Sequence, residues 1–444
     1  MNRLQATAYV LATWARDRRT PYLPHEQLEE RRDQRVRDIV AYAAATVPHY
    51  RELFAREGID PREIRGADDL ERLPLLEKRD LLEDPERFRS GSQAGSTAVA
   101  YWTAGSTGRP LTVYHDRLSL LGNMAWSERE RVVEARFCGK RVRYRRVVVA
   151  WTISTGAQTQ AFYRRSAFAP LRPLQFSLTV EDPIEQNIAA VDRLRPDSLV
   201  GYGPYLETLF RIVAARNLSF YRPKVVAYVS VAMSVEGRRF IEETFGIPVI
   251  SAYNAVEAFK IGFSCEERTG FHVHEDLCVV RLVDSDGRAV PNGATGEVVL
   301  SNLVNRGTVL LNYRLGDLAA RAPGRCPCGR TLRLLADVEG RTADFVERDD
   351  GRLIYSSDVV KVVTQTESVL TFQLVQHEQA RFELKVETIS QDAFERVKGE
   401  LVGRLKELLG TSVQIDITRH DRIEVGPRGK LRQVVSLFEP AQAR

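Results

Sequence analysis

A run of small and hydroxyl-bearing residues lies at Tyr101–Asp116, which reads YWTAGSTGRPLTVYHD. Thr103, Ser106 and Thr107 stand among glycines, and a short alternating strand pattern follows them. Hydroxyl groups and unhindered backbone N–H groups bind anions, and glycine lets the backbone approach them closely. The spacing differs from that of the G-x-x-x-x-G-K-[ST] P-loop. The stretch therefore predicts either a phosphate-binding loop or a plain glycine turn.

Three cysteines and one histidine have the residue types of a zinc site: Cys265, His272, Cys326 and Cys328. They form two distant pairs of soft ligands, and such pairs suit a tetrahedral Cys₃His site. Four protein ligands leave no open position, so the predicted role of the metal is structural. His274 is the alternative to His272, and the competing interpretation is a set of unrelated thiols with a surface histidine.

Two carboxylates and one lysine are further candidates. Asp317, in LNYRLGDL, is predicted to lie in a turn after a strand, where it would bind ribose hydroxyls or serve as an ordinary turn aspartate. Glu257, in YNAVE, would hold Mg²⁺ or begin a helix. Lys430, in VGPRGKLRQVV, would be presented on a tight turn before a strand.

The elements that must position these residues follow two patterns. Between 146 and 253 short apolar runs alternate with helical patterns, which predicts a parallel sheet covered by helices. Helices are expected at Leu118–Glu134, Asp182–Leu194, Tyr205–Arg216 and Val235–Phe245, and strands at Arg146–Ile153, Asp197–Tyr202, Lys224–Met233 and Ile247–Tyr253. Ligands on such sheets bind at the carboxyl ends of the strands.

From Leu277 onward, turn-separated strands predict an antiparallel subdomain, with strands at Leu277–Val283, Gly296–Asn302 and Thr308–Tyr313. A charged, glycine-flanked stretch near 341–352 suits a hinge. After it, a compact α+β unit is expected. Its strands are Leu353–Val363, Thr371–His377, Arg381–Glu387, Val413–Thr418 and Leu431–Leu437, and its helix is Gln391–Leu409.

Composition excludes several functional classes. The net charge is +5 over 444 residues, without a dense basic run, so a nucleic-acid partner is not expected. The longest apolar run, Val225–Val235, has about half the length of a membrane span, and the first residues lack a signal-peptide pattern. A cytoplasmic protein without a membrane partner is therefore expected.

Taken together, these motifs amount to a family resemblance. The set WTAGSTGRP, YNAVE, YRLGD, GRTAD and PRGK, in this order and at these separations, resembles the adenylate-forming superfamily of acyl-CoA synthetases. The length and the passages FSCEERTGFHVHEDLCVVRLVD and CPCGRT are similar to the phenylacetate–CoA ligase-like branch. The resemblance covers about residues 30–440.

The resemblance implies a fold and two domains. Residues 1–340 would form a large N-terminal adenylation domain, in which parallel sheets with helices join an antiparallel subdomain. Residues 341–444 would form a small, mobile α+β lid. ATP and Mg²⁺ would be used by the N-terminal domain, and the lid would carry the catalytic lysine.

The resemblance also implies roles for individual residues. Lys430 would reach the attacking carboxylate and the α-phosphate, Glu257 would hold Mg²⁺, and Asp344 would be the hinge. The remaining nucleotide contacts would come from Thr103, Ser106, Thr107, Gly108, Tyr253, Asn254, Asp317 and Arg341. The acyl pocket would be lined by Trp151, Phe162, Tyr202 and Tyr205, or these are ordinary core aromatics.

The implied reaction is activation of a carboxylic acid, with an aryl acid favoured by those aromatics, followed by transfer to coenzyme A. A carrier-protein thiol or an amine is the alternative acceptor. Asn254 and Val256 replace the usual glycine and serine or threonine of the motif around Glu257. This departure motivates a second hypothesis, a nucleotide-binding scaffold without turnover. A homodimer is one option for the assembly, which the sequence does not fix.

Overall fold

The computed structural model describes residues 1–103, 110–168, 173–341, 345–366, 368–424 and 431–438. The α-helices are α1 (Arg3–Asp17), α2 (His25–Thr46), α3 (Pro48–Glu57), α4 (Lys78–Glu83), α5 (Gln93–Ser96), α6 (Arg117–Trp126), α7 (Glu128–Cys138), α8 (Thr155–Ser166), α9 (Ile184–Leu194), α10 (Gly203–Ala215), α11 (Val235–Phe245), α12 (Ser356–Thr364) and α13 (Gln391–Leu409). Among these helices of the described residues, none combines the length and apolar character that crossing a membrane requires.

The β-strands are β1 (Val99–Trp102), β2 (Thr112–His115), β3 (Arg145–Ala150), β4 (Leu174–Thr179), β5 (Ser198–Gly201), β6 (Val225–Val229), β7 (Val249–Tyr253), β8 (Gly262–Ser264), β9 (Phe271–Val273), β10 (Cys278–Val283), β11 (Thr295–Asn302), β12 (Tyr313–Arg321), β13 (Leu334–Arg341), β14 (Phe345–Glu347), β15 (Leu353–Tyr355), β16 (Val369–Glu378), β17 (Arg381–Thr388), β18 (Gln414–His420) and β19 (Val434–Ser436). The chain forms two compact units. Unit 1 comprises Met1–Arg136, Ile153–Arg172 and Ser251–Val338, and unit 2 comprises Phe137–Thr152, Pro173–Ile250 and Glu339–Arg444.

Unit 1 contains the antiparallel subdomain that the sequence predicts. Its strands are ordered β10-β11-β12-β13-β9-β8, and β11 pairs antiparallel with both of its neighbours. Helix α2 has buried apolar residues at helical spacing, among them Val36, Ile39 and Val40, and they pack with Val279 of β10 and with Leu303. The hydrophobic stripe of α2 therefore joins the N-terminal helices to the sheet.

Unit 2 contains the predicted parallel sheet. Strands β4, β3, β5 and β6 lie side by side in this order, all parallel. The residues of β5 are all buried, as expected for a strand whose two faces are both covered. The core cluster of this sheet includes Val147, Leu199, Val226, Leu206 and Ile241, the last two from helices α10 and α11.

The α+β fold predicted for the C-terminal region is also present, within unit 2. The strands of its sheet are ordered β18-β17-β16-β19. A separate two-stranded hairpin, β14–β15, precedes them in the sequence. Helix α13 buries Leu401, Leu405 and Leu409 at four-residue spacing, and these pack with Phe372 and Phe382 of the sheet.

Three predicted elements are wrong. The expected helix Leu118–Glu134 is two helices that meet at Ser127, whose hydroxyl donates to the carbonyl of Asn123, a contact that bends helices. The expected strand Leu353–Val363 is the short strand β15 followed by α12, because valines spaced four residues apart bury one helical face. Of the expected strand Thr308–Tyr313, residues 308–312 form an irregular buried segment and Tyr313 begins β12. In this segment the Val309 N–H donates to the Phe88 carbonyl and the Leu311 N–H donates to the Tyr50 hydroxyl.

A buried ion pair ties α7 to the segment before β10 in unit 1. Arg129 donates from both guanidinium nitrogens to the Asp276 carboxylate at 2.8 Å, and neither side chain is more than 4% exposed. Arg35 lies 3.5 Å from the same carboxylate. Burial alone would raise the pKa of Asp276, but the two guanidinium groups outweigh it and hold that pKa well below its usual range.

Asp276→Asn is expected to lower the free energy of unfolding by about 3–5 kcal/mol, because it leaves buried guanidinium groups without their counter-charge. The depressed pKa makes the stabilisation by Asp276 complete above about pH 4 and lost as the pH falls below it. Urea unfolding at pH 7 and between pH 4 and 2 measures both effects. Asp60→Asn, which removes an exposed pair with Arg62, is the control and should leave the midpoint unchanged. An equal effect of the two variants would contradict the expectation.

Candidate active site and metal centre

Two of the predicted nucleotide contacts lie side by side in unit 1. The Tyr253 hydroxyl, at the end of β7, donates to Asp317 Oδ2 at 2.7 Å, and both residues are buried. An aromatic ring next to a buried carboxylate suits recognition of a base and its sugar hydroxyls.

The expectation that Asp317 lies in a turn is wrong, because it lies inside β12. Gly316 has a φ of +80°, and the β11–β12 register shifts where Val299 pairs with Arg314 and Glu297 pairs with Leu318. These are the features of a β-bulge, which re-aims a side chain within a strand. The glycine therefore marks a bulge and not the end of the strand.

Glu257 lies in a turn of the segment that joins β7 to β8. The residue is buried, and its backbone carbonyl accepts a hydrogen bond of 2.9 Å from Asn302 Nδ2. A buried carboxylate in a fixed turn is a suitable single protein ligand for Mg²⁺, which takes most of its other ligands from water and phosphate oxygens.

Thr103 closes the base of the predicted phosphate loop. Its backbone N–H donates to the Leu111 carbonyl, and its hydroxyl accepts from the Leu111 N–H, both at 2.9 Å. Strands β1 and β2 pair up to Trp102 and Thr112, so the loop connects the two strands of a hairpin. Ser106, Thr107 and Gly108 lie outside the described residues.

The residues predicted for the second domain are only partly covered. Lys430 and Asp344 lie outside the described residues, and Arg341 is described only as the backbone end of β13. Their roles remain predictions.

Three of the four predicted acyl-pocket aromatics lie in unit 2. Trp151 and Tyr202 directly follow β3 and β5, which are adjacent parallel strands. The backbone N–H of Trp151 donates to the Tyr202 hydroxyl at 3.2 Å. Tyr205 accepts from Asn187 Nδ2 at 2.7 Å, and burial raises its pKa to about 12. The fourth, Phe162 in α8, belongs to unit 1 and packs edge-to-face on Tyr163.

The four predicted zinc ligands come together in unit 1. The sulfur and ring-nitrogen atoms of Cys265, His272, Cys326 and Cys328 all lie within 4.8 Å of one another. Cys265 directly follows β8, His272 lies in β9, and the other two lie between β12 and β13. His274 is not part of this group, because its ring contacts Arg129 and Glu130.

The distances fit a tetrahedral metal. Cys265 Sγ and Cys326 Sγ are 3.5 Å apart, and Cys328 Sγ lies 3.3 Å from His272 Nε2. A zinc ion with tetrahedral bonds of 2.3 Å to sulfur separates two sulfur atoms by about 3.8 Å. Burial lowers the pKa of His272 to about 4, which keeps the imidazole neutral, as a metal ligand must be. The donor set therefore suits zinc.

Sequence reasoning missed the residues that support the turn containing Glu257. Asn302 is one, and His115, whose Nε2 lies 2.6 Å from the Val256 carbonyl, is another. His115 and Val256 are 141 positions apart, and neither is part of a spacing pattern that would reveal the contact. His115 directly follows the alternating run Leu111–Tyr114, which predicts a strand, and this is the signal that the sequence offers for it.

Comparisons with known proteins identify relatives of this chain. The CapK C-terminal domain family matches residues 346–437. The phenylacetate-coenzyme A ligase of Thermus thermophilus is 25% identical over 94% of this chain and 98% of its own. The enzyme of the same name from Aromatoleum evansii is 21% identical over 90% of this chain and 92% of its own.

A solved structure has the same fold. It is 2-hydroxyisobutyryl-CoA ligase in its postadenylation state with an acyl-AMP, with a TM-score of 0.75 and 20% identity over 96% of this chain and 92% of that one. The predicted α/β fold, the predicted resemblance to the phenylacetate–CoA ligase-like branch and the predicted class, an acid–thiol ligase, are confirmed.

Proposed function

We propose that this chain, a relative of the phenylacetate–CoA ligases in the adenylate-forming superfamily, activates a carboxylic acid with ATP and transfers the acyl group to coenzyme A. The observation that carries the proposal is the Tyr253–Asp317 pair, which joins two motifs 64 positions apart in the order that the superfamily has. The full-length likeness to CoA ligases supports it.

The first half-reaction joins two anions. A carboxylate oxygen attacks the α-phosphorus of ATP, the bond to pyrophosphate breaks, and an acyl-adenylate forms. Cations placed where negative charge develops lower such a barrier. Lys430 would supply one cation and Mg²⁺, held by Glu257, another. The hairpin loop based at Thr103 would bind phosphates, and Tyr253, Asn254, Asp317 and Arg341 would hold the nucleoside.

The second half-reaction needs a different arrangement around the acyl carbonyl. A thiol attacks the carbonyl carbon, the thioester bond forms, and AMP leaves with the bonding electrons. We propose that residues 341–444 turn about Asp344 between the two steps, as a lid. A carrier-protein thiol as acceptor and a homodimeric assembly are secondary proposals.

The favoured substrate is an aryl acid. Trp151 and Tyr202 follow adjacent parallel strands, at the carboxyl ends where ligands of such sheets bind. Aromatic walls suit a planar ring. Tyr205 lies in the first turn of α10, three residues after Tyr202.

ATP–pyrophosphate exchange across a panel of aryl, branched and straight-chain acids tests the proposal. Exchange with an aryl acid, followed by a CoA thioester when coenzyme A is added, is the expected result. If a thioester forms only with a carrier protein, or an amide forms with an amine, the acceptor is that carrier protein or amine and not coenzyme A. ATP binding without exchange for any acid would overturn the ligase proposal and favour the scaffold hypothesis motivated by Asn254 and Val256.

Asp317→Asn is expected to raise the KM for ATP by about 10–100-fold, because an amide accepts hydroxyl hydrogen bonds more weakly than a charged carboxylate. The KM for the acid should change little. Tyr253→Phe, which removes only the hydroxyl bonded to Asp317, should have a smaller effect. Initial rates of exchange at varied ATP measure both variants, and equal KM values for Asp317→Asn and wild type would contradict the nucleotide role.

We also propose that Cys265, His272, Cys326 and Cys328 bind one structural Zn²⁺. Their four donor atoms all lie within 4.8 Å of one another, and four protein ligands would complete the coordination of the metal. The metal would fix the chain after β8 to the segment between β12 and β13. These elements lie in the same subdomain as Asp317.

A further inference from the structure

The segment 254–260, which contains Glu257, has a strained conformation. Phe259 has a φ of +60°, in the left-handed region that bulky residues rarely adopt. The Phe259 N–H donates to the Ala255 carbonyl at 2.6 Å, and the Ile261 N–H donates to the Tyr253 carbonyl at 3.1 Å. Such a turn persists only where its surroundings hold it in place.

The rings of Tyr101 and His115 pack against the strained residue, Phe259. The centroid of the Phe259 ring lies 4.2 Å from the centroid of the His115 imidazole and 5.1 Å from that of the Tyr101 ring, which it meets edge-to-face. His115 and Tyr101 are themselves in edge-to-face contact at 5.6 Å, and both are buried. The three rings therefore form a packed cluster under the turn.

His115 also makes a polar contact with the turn. Its Nε2 lies 2.6 Å from the backbone carbonyl oxygen of Val256, the residue before Glu257. Burial lowers the pKa of His115 to about 4, so the ring is neutral at pH 7. A carbonyl oxygen only accepts, so the hydrogen of the neutral ring must reside on Nε2.

Two asparagines complete the support. Asn302 Nδ2 donates to the Glu257 carbonyl at 2.9 Å. With its amide group flipped, Asn254 would donate to the Phe259 carbonyl at 2.5 Å, which would close the turn on itself. Consecutive carbonyls, those of Val256 and Glu257, are thus each bound by a side chain from elsewhere in unit 1.

The position of His115 connects this turn with the hairpin of β1 and β2. His115 ends β2 and pairs with Val99 of β1, in the hairpin whose connecting loop is based at Thr103. His115 therefore belongs to this hairpin, at the end opposite its connecting loop, and also contacts the turn that would hold Mg²⁺.

We propose that His115 is a positioning residue, whose Nε2–H bond to Val256 and ring contact with Phe259 hold the segment 254–260 so that the Glu257 carboxylate is placed for Mg·ATP. Only one part of this proposal rests on the proposed function, namely that the Glu257 carboxylate binds Mg·ATP. The placement itself is a property of the chain.

The test compares His115→Phe with His115→Gln. Phenylalanine keeps a ring against Phe259 but cannot donate to Val256, whereas glutamine offers an amide N–H to the same carbonyl. In His115→Phe, hydrogen exchange of the amides in 254–261 should quicken at least about tenfold, and half-saturation of ATP–pyrophosphate exchange by Mg²⁺ should require about 5–10 times more metal. In His115→Gln both values should return most of the way to wild type.

His49→Phe is the matched control, since His49 is another partly buried histidine with a lowered pKa and an aromatic neighbour, Phe88. It should leave hydrogen exchange in 254–261 and the Mg²⁺ requirement unchanged. Unaltered hydrogen exchange in His115→Phe, or equal loss in the Phe and Gln variants, would overturn the proposal. If wild type lacks pyrophosphate exchange with every acid, the proposed function fails, while hydrogen exchange still decides whether His115 positions the turn.

Discussion

Lys430→Ala is expected to lower ATP–pyrophosphate exchange by about 1000-fold, with little change in the KM for ATP. The lysine would contact the attacking carboxylate and the α-phosphate only when charge accumulates between them. Its loss should therefore affect the turnover rate more than ground-state binding. Exchange assays at saturating acid, ATP and Mg²⁺ measure the effect.

Lys398→Ala provides the control for this variant. Lys398 lies exposed on α13 of the same C-terminal region and pairs with Glu395, so its removal should leave the exchange rate near that of wild type. Thioester formation from a supplied acyl-adenylate should survive in Lys430→Ala, because that step no longer joins two anions. Full exchange by Lys430→Ala would rule out the adenylation role of this residue.

Cys326→Ser is expected to reduce the zinc content from about one ion per chain to near zero and to lower the unfolding temperature of the protein. A serine hydroxyl is a poor zinc ligand, and the remaining cysteines and His272 would then be packed together without the charge that organises them. Atomic absorption of the purified protein and thermal unfolding measure the two effects. Addition of a strong chelator to wild type should reproduce the loss of stability.

Cys138→Ala separates loss of a metal ligand from loss of a buried thiol. Cys138 is fully buried and lies outside the metal-ligand group, so this variant should retain its zinc. A wild-type protein that is stable and free of metal, or a Cys326→Ser variant that keeps its zinc, would refute the metal centre.

The fold could be predicted well where periodicity and burial agree. Helices α11 and α13 have the predicted bounds, because their apolar residues recur every three to four positions between clear caps. Strands β3, β5 and β6 of unit 2 were predicted from short apolar runs, whereas β4 was not predicted. A strand was predicted at Leu353–Val363 because the branched side chain of valine favours strands. The segment instead contains helix α12, because a helix buries Val359 and Val363 on the same face.

The candidate site shows the same division. Cysteine and histidine spacing predicted the four residues whose donor atoms lie within 4.8 Å of one another, but the contacts of His274 with Arg129 and Glu130 were needed to choose His272 over it. The side chains that support Glu257 could not be found this way. His115 and Asn302 form hydrogen bonds with backbone carbonyls. Every residue has a backbone carbonyl, so no pattern of residue types in the sequence indicates which one is bound.

The bulge at Gly316 has a consequence for how this site changes during evolution. A φ of +80° is readily available only to glycine, so almost any substitution there would move the following aspartate as well as strain the strand. We therefore expect Gly316 and Asp317 to be retained together. In distant sequences we expect a Gly–Asp pair inside a strand pattern to mark this proposed sugar-binding carboxylate better than the acidic residue alone.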